Sequence, residues 1–332
     1  MPTMNAVFFD RTGEPAEVLR VGEAPLPEPG PGEVRVRMIA SPINPSDLMT
    51  IRGNYVAKPA LPATPGYEGV GVVDRAGPGV LGRFMVGRRV AVLNQAGGNW
   101  AEYATVPANR VIPVAADLPD DQVASFFVNP ATVLAMVRHV LRVPKGGWLL
   151  QTAAGSALGK MVIKLGRHDG FKTLNVVRRP EAAEALRQLG ADEVIVSTEG
   201  PIDEQVRRVV GPEGISFAID PVGGDTGTAV FDALATGGRM LSYGTLAGEP
   251  TRLNTRMLIA GKRIEGFYLG RFMQDRSLPK SLLLFREVAG LIRAGVLATD
   301  PGLSFPIASI GEAVVASEAP GHGKVLLRLG PA

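Results

Sequence analysis

The chain has 332 residues, of which 45% are hydrophobic, and this combination favours two globular domains over one compact core or a disordered chain. The formal net charge is only +3 and the basic residues are spread along the chain, which argues against nucleic acid as a partner. The sequence contains no cysteine, which excludes disulfides, thiolate catalysis and every zinc site with a cysteine ligand.

Other metal-binding and targeting signals are also missing from the sequence. The three histidines, His139, His168 and His322, are far apart and fall in no metal-binding spacing, so we expect no metal site. A strand-like segment at residues 5–9 follows Met1 closely, and no run of about 18 apolar residues occurs. We therefore expect a cytoplasmic protein without a leader peptide, a membrane span or a membrane partner.

Residues 1–121 combine frequent glycine and proline with short apolar runs. The runs at residues 34–38, 69–73 and 89–93 read as strands, and the first of them alternates apolar with charged side chains. Alternation with this period is typical of a half-buried strand. Short strands separated by turn residues predict a small barrel-like β domain.

From residue 122 onward, predicted strands and helices alternate. The strands are expected at residues 148–153, 173–177, 194–196, 217–219 and 239–242. One helix begins near Ala157, and a second begins at Pro180 and ends near Gly190. This alternation predicts a parallel, doubly wound sheet, and we assign residues 122–268 to it as a dinucleotide-binding domain.

The chain after residue 268 no longer alternates. A helix is predicted at residues 281–295 and a final strand at residues 324–329. We expect residues 269–332 to return to the first domain and complete it. The predicted fold class is α/β, with a β-barrel domain and a doubly wound domain.

The turn after the strand at residues 148–153 is the candidate cofactor loop. It consists of Ala154, Gly155, Ser156, Ala157, Leu158 and Gly159. Only Gly159 keeps its place in the G-x-G-x-x-G fingerprint, because Ala154 and Ser156 replace the first two glycines. Small residues at a strand-to-helix turn let backbone N–H groups reach a pyrophosphate. We interpret the loop as a dinucleotide site, with a plain tight turn as the alternative.

The end of the next strand indicates which nucleotide binds. Arg178 and Arg179 stand about 20 residues after the loop, where an NAD site carries an acid for the ribose 2′-hydroxyl. Two guanidinium groups form charge-assisted hydrogen bonds to a 2′-phosphate, which an acid would repel. We predict NADPH as the cofactor, the alternative being two solvated arginines before a helix.

Several segments of the sequence resemble one known superfamily. They are residues 44–48 (Asn-Pro-Ser-Asp-Leu), 52–55 (Arg-Gly-Asn-Tyr), 65–70 (Pro-Gly-Tyr-Glu-Gly-Val), 98–103, 128–132, 175–180 and 266–269. Residues 5–329 resemble the medium-chain dehydrogenase/reductase superfamily, whose members combine a GroES-like catalytic domain with a Rossmann domain. Within it, the segments are similar to the mitochondrial-type 2-enoyl thioester reductases, and several are shared with quinone oxidoreductases.

The resemblance implies a zinc-independent reductase that transfers hydride from NADPH to the C=C bond of a 2-enoyl thioester. Zinc enzymes of this superfamily use a Cys near the position of Asp47 and a His before Glu68, whereas here residues 44–47 contain no Cys and Tyr67 precedes Glu68. Two alternatives stay open. One is an NADPH:quinone oxidoreductase, and the other is a nucleotide-binding protein with little catalysis.

The resemblance also assigns roles to individual residues. Tyr55 is the implied acid, since a phenol with a pKa of about 10 keeps its proton at neutral pH. Asn44 and Asp47 are expected to form the catalytic floor, and Tyr67 and Trp100 the substrate pocket, with packing or turn formation as the simpler alternative. Further cofactor contacts are expected from Asn129, Thr132, Tyr243, Gly244, Thr245, Phe267, Tyr268, Leu269 and Lys324.

Two further expectations follow from the resemblance. Tyr67 is bulky where the enoyl reductases carry Asn or a small residue, so the length of the acyl chain stays open. A homodimer is implied through the edge of the Rossmann sheet near residues 252–268.

Overall fold

In a computed structural model of the protein, residues 2–56, 58–94, 96–319 and 321–330 are described. The helices and strands follow one another in the order β1 (Thr3–Phe8), α1 (Pro15–Val18), β2 (Arg20–Pro25), β3 (Glu33–Pro42), α2 (Pro45–Ile51), β4 (Glu68–Ala76), α3 (Val80–Arg83), β5 (Arg89–Leu93), β6 (Tyr103–Pro107), a 3-10 helix (Ala108–Arg110), β7 (Val111–Pro113), α4 (Asp120–Ala124), α5 (Val128–Leu134), a π-helix (Ala135–Leu141), β8 (Trp148–Gln151), α6 (Ala157–Asp169), β9 (Lys172–Val177), α7 (Glu181–Leu189), β10 (Glu193–Val196), α8 (Ile202–Val210), β11 (Ile215–Asp220), α9 (Gly224–Asp232), β12 (Leu234–Ser242), α10 (Thr255–Ile259), β13 (Arg263–Gly266), α11 (Leu269–Gln274), α12 (Leu278–Arg293), β14 (Pro301–Pro306), a 3-10 helix (Ile307–Ser309), α13 (Ile310–Glu318) and β15 (Lys324–Arg328).

The described residues form two compact units, one within Met1–Val128 and Thr299–Ala332 and the other within Asn129–Ala298. The units divide at other positions than the boundaries after residues 121 and 268 that the sequence patterns predict, and the functional domain limits stay a prediction. Residues 269–298 belong to the second unit because α11 and α12 contact its π-helix. Arg138 donates to Glu287 of α12, and the Phe272 ring of α11 lies 6.1 Å from the His139 ring.

The first unit is built on an extended β sheet. Among the described residues, seven strands form it, in the order β14-β15-β3-β4-β5-β7 with β6 also paired to β3. The pairs are antiparallel apart from β14 with β15, and β1 and β2 form a separate antiparallel pair. Strand β15 brings the end of the chain onto β3, which places Lys324 beside the start of α2.

The alternating sequence pattern of strand β3 explains only part of which side chains are buried. Val34, Val36 and Met38 are fully buried, as the apolar positions of the pattern predict. Arg35 is also buried, at 7% exposed, because its guanidinium binds Asp74 at 2.8 Å. A buried arginine needs such a carboxylate partner, and the sequence pattern of one strand does not contain it.

The second unit contains a parallel, doubly wound sheet. In the described chain the sheet has six strands in the order β10-β9-β8-β11-β12-β13, and every neighbouring pair is parallel. Numbered from β8, this is the order 3-2-1-4-5-6, whose topological switch point lies between β8 and β11. The predicted α/β fold class, with a GroES-like and a Rossmann-type domain, is confirmed.

Apolar side chains cover both faces of this sheet. Val176 packs in one cluster with Val206 of α8, and its neighbour Val177 packs in another cluster with Ile163 and Leu186. Successive residues of a strand point to opposite faces, so a strand covered by helices on both sides is largely apolar. This burial explains why apolar residues dominate the predicted strands, although β8 and β9 also contain the buried polar residues Gln151, Thr173 and Asn175.

Two local details differ from the sequence-based expectations. Strand β13 was not predicted, since it is a four-residue edge strand with two charged side chains. Pro180 is the N-cap of α7 rather than its first helical residue, and Gly190 closes the helix with a φ of 99°. In the described parts of the chain, no helix is both long and apolar enough to cross a membrane.

Candidate active site

The start of α2 places a buried carboxylate in the first unit. Asn44 is the N-cap of this helix and Pro45 occupies its first turn, as the Asn-Pro-Ser-Asp sequence favours. The Asp47 carboxylate accepts the backbone N–H of Asn44 at 2.8 Å and that of Tyr67 at 3.1 Å. Asp47 therefore fixes the helix start against the loop that leads into β4.

A second carboxylate and an ammonium complete a buried group of side chains. Glu68 accepts two backbone N–H groups of residues 127–128, at 3.0 and 2.8 Å, and the side-chain amide of Asn44 at 3.0 Å. Lys324 donates to the amide oxygen of Asn44. We call Asn44, Asp47, Glu68 and Lys324 the Lys324 cluster, and none of the four is more than 6% exposed.

Burial dominates the electrostatics of the Lys324 cluster. It raises the pKa of Asp47 to about 7 and also raises the pKa of Glu68, against the opposing effect of Lys324. Burial lowers the pKa of the Lys324 ammonium, which the two carboxylates partly counteract. One ammonium faces two carboxylates, so the cluster tends to keep a proton on a carboxylate near neutral pH.

The Lys324 cluster does not fit a zinc ion. Zinc takes thiolate, imidazole and carboxylate ligands in tetrahedral geometry, whereas this group already contains an ammonium and an amide bonded to each other. Among the described residues, no three His, Cys, Asp or Glu side chains are grouped to hold a metal ion.

Two tyrosines come together next to this cluster. The rings of Tyr55 and Tyr67 are half-buried, and their centroids are 5.9 Å apart at an angle of 43°. The Tyr67 hydroxyl lies 2.6 Å from the hydroxyl of Thr50 on α2. The backbone N–H that Tyr67 gives to Asp47 ties this ring pair to the Lys324 cluster.

Trp100 lies in the core of the first unit. Its side chain has no exposed surface, and its indole N–H donates to the Pro42 carbonyl at 3.3 Å. Gly66 packs against the indole so closely that a Cβ there would collide with it. Trp100 is therefore packed as a core residue, which is the alternative that the sequence leaves open. Its role in the substrate pocket stays a prediction.

The candidate cofactor loop lies at the switch point of the second unit. Ser156 is the N-cap of α6, and its hydroxyl accepts the backbone N–H of Gly159 at 3.1 Å. A Cβ at position 159 would collide with the Ala154 carbonyl, whereas a Cβ at Gly155 would meet nothing within 4 Å. The first fact explains why only glycine fits at 159, and the second leaves open space over the helix N-terminus for a phosphate.

Arg178 and Arg179 follow the carboxyl end of β9, and both side chains are exposed. Among the described residues, neither guanidinium has a carboxylate within ion-pair distance, whereas Arg35, Arg138 and Arg239 each have one. The open helix N-terminus and these two exposed cations fit a dinucleotide with a 2′-phosphate. The residues present therefore fit NADP(H).

Asp220 closes the other side of the switch point at the end of β11. Its buried carboxylate accepts the hydroxyl of Thr152, at the end of β8, and the backbone N–H groups of Val222 and Gly223 at 3.1 and 2.8 Å. Burial raises the pKa of Asp220, against the effect of these donors. The carboxylate therefore holds together the two loops that leave β8 and β11.

The remaining predicted cofactor residues lie in three places. In the second unit, Asn129 and Thr132 are on α5, and the others follow the carboxyl ends of β12 (Tyr243, Gly244, Thr245) and β13 (Phe267, Tyr268, Leu269). The carboxyl ends of parallel strands meet at one edge of a sheet, which is also the edge of the cofactor loop. Lys324 is the exception, because it lies in the first unit and its ammonium is engaged in the Lys324 cluster.

Two residues of these sites were missed as candidates from the sequence. Glu68 lies in the Pro-Gly-Tyr-Glu-Gly-Val segment, and its signal is a carboxylate beside small residues at the start of the buried strand β4. Asp220 ends an apolar strand and precedes Pro-Val-Gly-Gly, which is a turn sequence at the edge where ligands bind.

Comparison with known proteins gives a consistent picture. Residues 157–285 match the zinc-binding dehydrogenase family, and residues 30–117 match the alcohol dehydrogenase GroES-like domain. The chain is 33% identical to the human mitochondrial enoyl-[acyl-carrier-protein] reductase, over 96% of this chain and 86% of that protein. A putative NADPH:quinone reductase from Bacillus thuringiensis superposes with a TM-score of 0.92 at 30% identity, over 99% of both chains. The Escherichia coli quinone oxidoreductase complexed with NADPH superposes with a TM-score of 0.90 at 25% identity, over 98% of this chain and 99% of that one.

Proposed function

Because this chain belongs to the medium-chain dehydrogenase/reductase superfamily, we propose that it is an NADPH-dependent reductase of the C=C bond of a 2-enoyl thioester. It is an oxidoreductase that uses a nicotinamide cofactor. The observation that carries the enoyl thioester proposal is Tyr55, a half-buried phenol that meets a second phenol beside a buried ionic cluster. The similarity to the human enoyl reductase supports the same substrate class, and the similarity to reductases argues against a protein with little catalysis.

The choice of NADPH over NADH depends on Arg178 and Arg179. They are exposed and directly follow the end of β9, and the first acid after them is Glu181 in the first turn of α7. An NAD site carries a carboxylate at this point for the ribose 2′-hydroxyl. Two cations there favour the 2′-phosphate of NADPH, and the NADPH complex of the Escherichia coli relative supports this choice.

The protein's own part of the reaction is to supply a proton and to hold the groups that do so. NADPH supplies a hydride when it is bound. Hydride addition to Cβ of an enoyl thioester leaves negative charge on the thioester oxygen, and Cα then takes a proton. An ordinary phenol has a pKa of about 10 and keeps its proton at neutral pH, so a tyrosine such as Tyr55 can donate to the enolate.

A quinone is the second candidate substrate. Two structures with TM-scores of 0.92 and 0.90 come from a putative and a named quinone reductase, which favours this chemistry over others within the superfamily. Tyr67 also favours a quinone, since a bulky ring at this position leaves less room for a long acyl chain. A quinone takes its protons on oxygen and depends less on one positioned acid.

The variant Tyr55→Phe is expected to separate the two substrates. It should lower the rate on a short trans-2-enoyl-CoA by about 100-fold, because a general acid contributes about that much. The rate on a naphthoquinone should change far less. Tyr103→Phe is the matched control, since Tyr103 is a half-buried tyrosine of the same unit whose ring packs under Arg35. If Tyr55→Phe kept the full rate on the enoyl-CoA, Tyr55 would not be the proton donor.

We further propose a homodimer through the sheet edge at β13. This strand is one of the two edge strands of the described sheet, and Ile259 of the preceding helix is 83% exposed. A bare strand edge with an exposed apolar side chain beside it is suited to pairing with a second copy. Light scattering should give twice the mass of one 34.9 kDa chain, and a mass of one chain would reject the dimer.

A further inference from the structure

Thr50 and Tyr67 share a pair of hydroxyl protons whose positions can be deduced. The Thr50 hydroxyl lies 2.9 Å from the Ser46 carbonyl, one helical turn earlier, and 2.6 Å from the Tyr67 hydroxyl. A carbonyl only accepts, so the single proton of Thr50 goes to Ser46. The proton between Thr50 and Tyr67 then belongs to Tyr67, which donates to Thr50.

This arrangement lets Thr50 support Tyr67 in both of its charge states. When Tyr67 is a neutral phenol, Thr50 accepts a hydrogen bond from its O–H. When Tyr67 is a phenolate, Thr50 can turn its own O–H away from Ser46 and donate to the Tyr67 oxygen. The Thr50 hydroxyl, 2.6 Å away, can therefore hydrogen-bond the Tyr67 oxygen whether or not the phenol carries its proton.

Tyr67 is also held rigidly beside Tyr55. Its backbone N–H is bonded to Asp47 at 3.1 Å, its hydroxyl to Thr50, and its ring packs 5.9 Å from the ring of Tyr55. Both rings are half-buried, so they are reached from solvent. A substrate that takes a proton from Tyr55 is therefore close to a second phenol, that of Tyr67, whose hydroxyl is hydrogen-bonded to Thr50.

We propose that Tyr67 is a second proton donor of the reductive reaction and that Thr50 is the positioning residue of its hydroxyl. The inference rests on the proposed function, in that a reductase must deliver a proton as well as a hydride. It also gives a role to the residue by which this sequence departs from the enoyl reductases.

The proton step balances without a further reactant. The O–H bond of Tyr67 breaks and its proton forms a C–H bond at Cα of an enolate, or an O–H bond on a reduced quinone oxygen. The electron pair of the broken bond stays on the phenolate oxygen, where Thr50 donates a hydrogen bond. Water returns a proton to Tyr67 after product leaves. The reducing electrons come from the hydride of NADPH.

The experiment compares turnover rates in a Tyr55→Phe background, where the first proton donor is absent and only the second remains. Adding Tyr67→Phe should lower the remaining rate by about tenfold, and adding Thr50→Val should lower it by a similar factor. Thr50→Ser keeps the hydroxyl and should restore the rate of the Tyr55→Phe single variant. Adding Tyr103→Phe is the control and should leave the rate unchanged.

Two outcomes would overturn the inference. One is an equal rate for Tyr55→Phe with and without Tyr67→Phe, and the other is a rate that Thr50→Val leaves unchanged. The electron acceptor is whichever of enoyl-CoA and naphthoquinone the wild type reduces, so an error in the proposed substrate is seen in the wild type alone and does not affect these ratios.

A measurement without turnover tests the hydroxyl pair independently. The chain has five tyrosines, so labelling Cζ with carbon-13 gives few enough signals to assign Tyr67 through Tyr67→Phe. Thr50→Val should move the Tyr67 signal and Thr50→Ser should leave it near its wild-type position. A Tyr67 signal that Thr50→Val does not move would contradict the positioning role of Thr50.

Discussion

Replacing both Arg178 and Arg179 with alanine is expected to weaken NADPH binding by about 100-fold and NADH binding by less than about threefold. The two guanidinium groups are exposed at the end of β9, so each bond to the 2′-phosphate is screened by solvent and contributes about one factor of ten. NADH has no 2′-phosphate and loses little. Titration of cofactor fluorescence with each variant measures both affinities.

The control is the pair Arg187→Ala and Arg208→Ala, which removes two exposed arginines from α7 and α8 of the same unit. It keeps the net charge equal to that of the test variant and should leave both affinities unchanged. If the Arg178 and Arg179 variant lost NADPH and NADH equally, the arginines would act on a part that both cofactors share, and the 2′-phosphate assignment would be wrong.

Lys324→Met is expected to lower the free energy of unfolding by about 3–5 kcal/mol. Lys324 is 6% exposed and is the ammonium of a cluster with two buried carboxylates. Methionine fills a similar volume but leaves Asp47 and Glu68 without a compensating cation. Chemical denaturation followed by far-ultraviolet circular dichroism measures the change.

Two comparisons make this prediction specific to the charge. Lys280→Met removes an exposed lysine at the start of α12 and should change the free energy of unfolding by less than about 0.5 kcal/mol. Adding Glu68→Gln to Lys324→Met removes one unpaired carboxylate and should recover part of the loss. A Lys324→Met protein as stable as the wild type would show that the Lys324 cluster does not depend on its ammonium.

The doubly wound unit could be predicted well from the sequence because its strands are buried on both faces. Residues such as Leu150, Val176 and Val177 make the strands largely apolar, and the helices between them carry one apolar face. Strand β13 escaped prediction for the opposite reason. An edge strand of four residues with Arg263 and Glu265 exposed has no apolar run to recognise.

The Lys324 cluster could be predicted only in part. The start of α2 was legible in the local sequence, since Asn44 and Asp47 stand three residues apart at a helix N-terminus. The contact between Asn44 and Lys324 joins residues 280 positions apart, and no local pattern encodes it. The resemblance implies a cofactor contact for Lys324. Its place in a buried ionic group depends on the pairing of β15 with β3, which the sequence does not show.

The two phenols illustrate a similar division. Tyr55 was singled out by its Gly-Asn-Tyr segment, and Tyr67 by its bulk at a position where a small residue was expected. Their approach to 5.9 Å, and the bond from Tyr67 to Thr50, depend on how the loop before β4 lies against α2. That arrangement is set by the Asp47 carboxylate, which accepts N–H groups from both segments.

The most direct test of the central claim is the oxidation of NADPH by the purified wild-type protein with a short trans-2-enoyl-CoA as acceptor. The account predicts steady loss of NADPH absorbance that depends on the enoyl-CoA and falls strongly when NADH replaces NADPH. A naphthoquinone in place of the enoyl-CoA identifies the second candidate. If the protein oxidised NADPH neither with the enoyl-CoA nor with the naphthoquinone, its assignment as an NADPH-dependent reductase of these substrates would be contradicted.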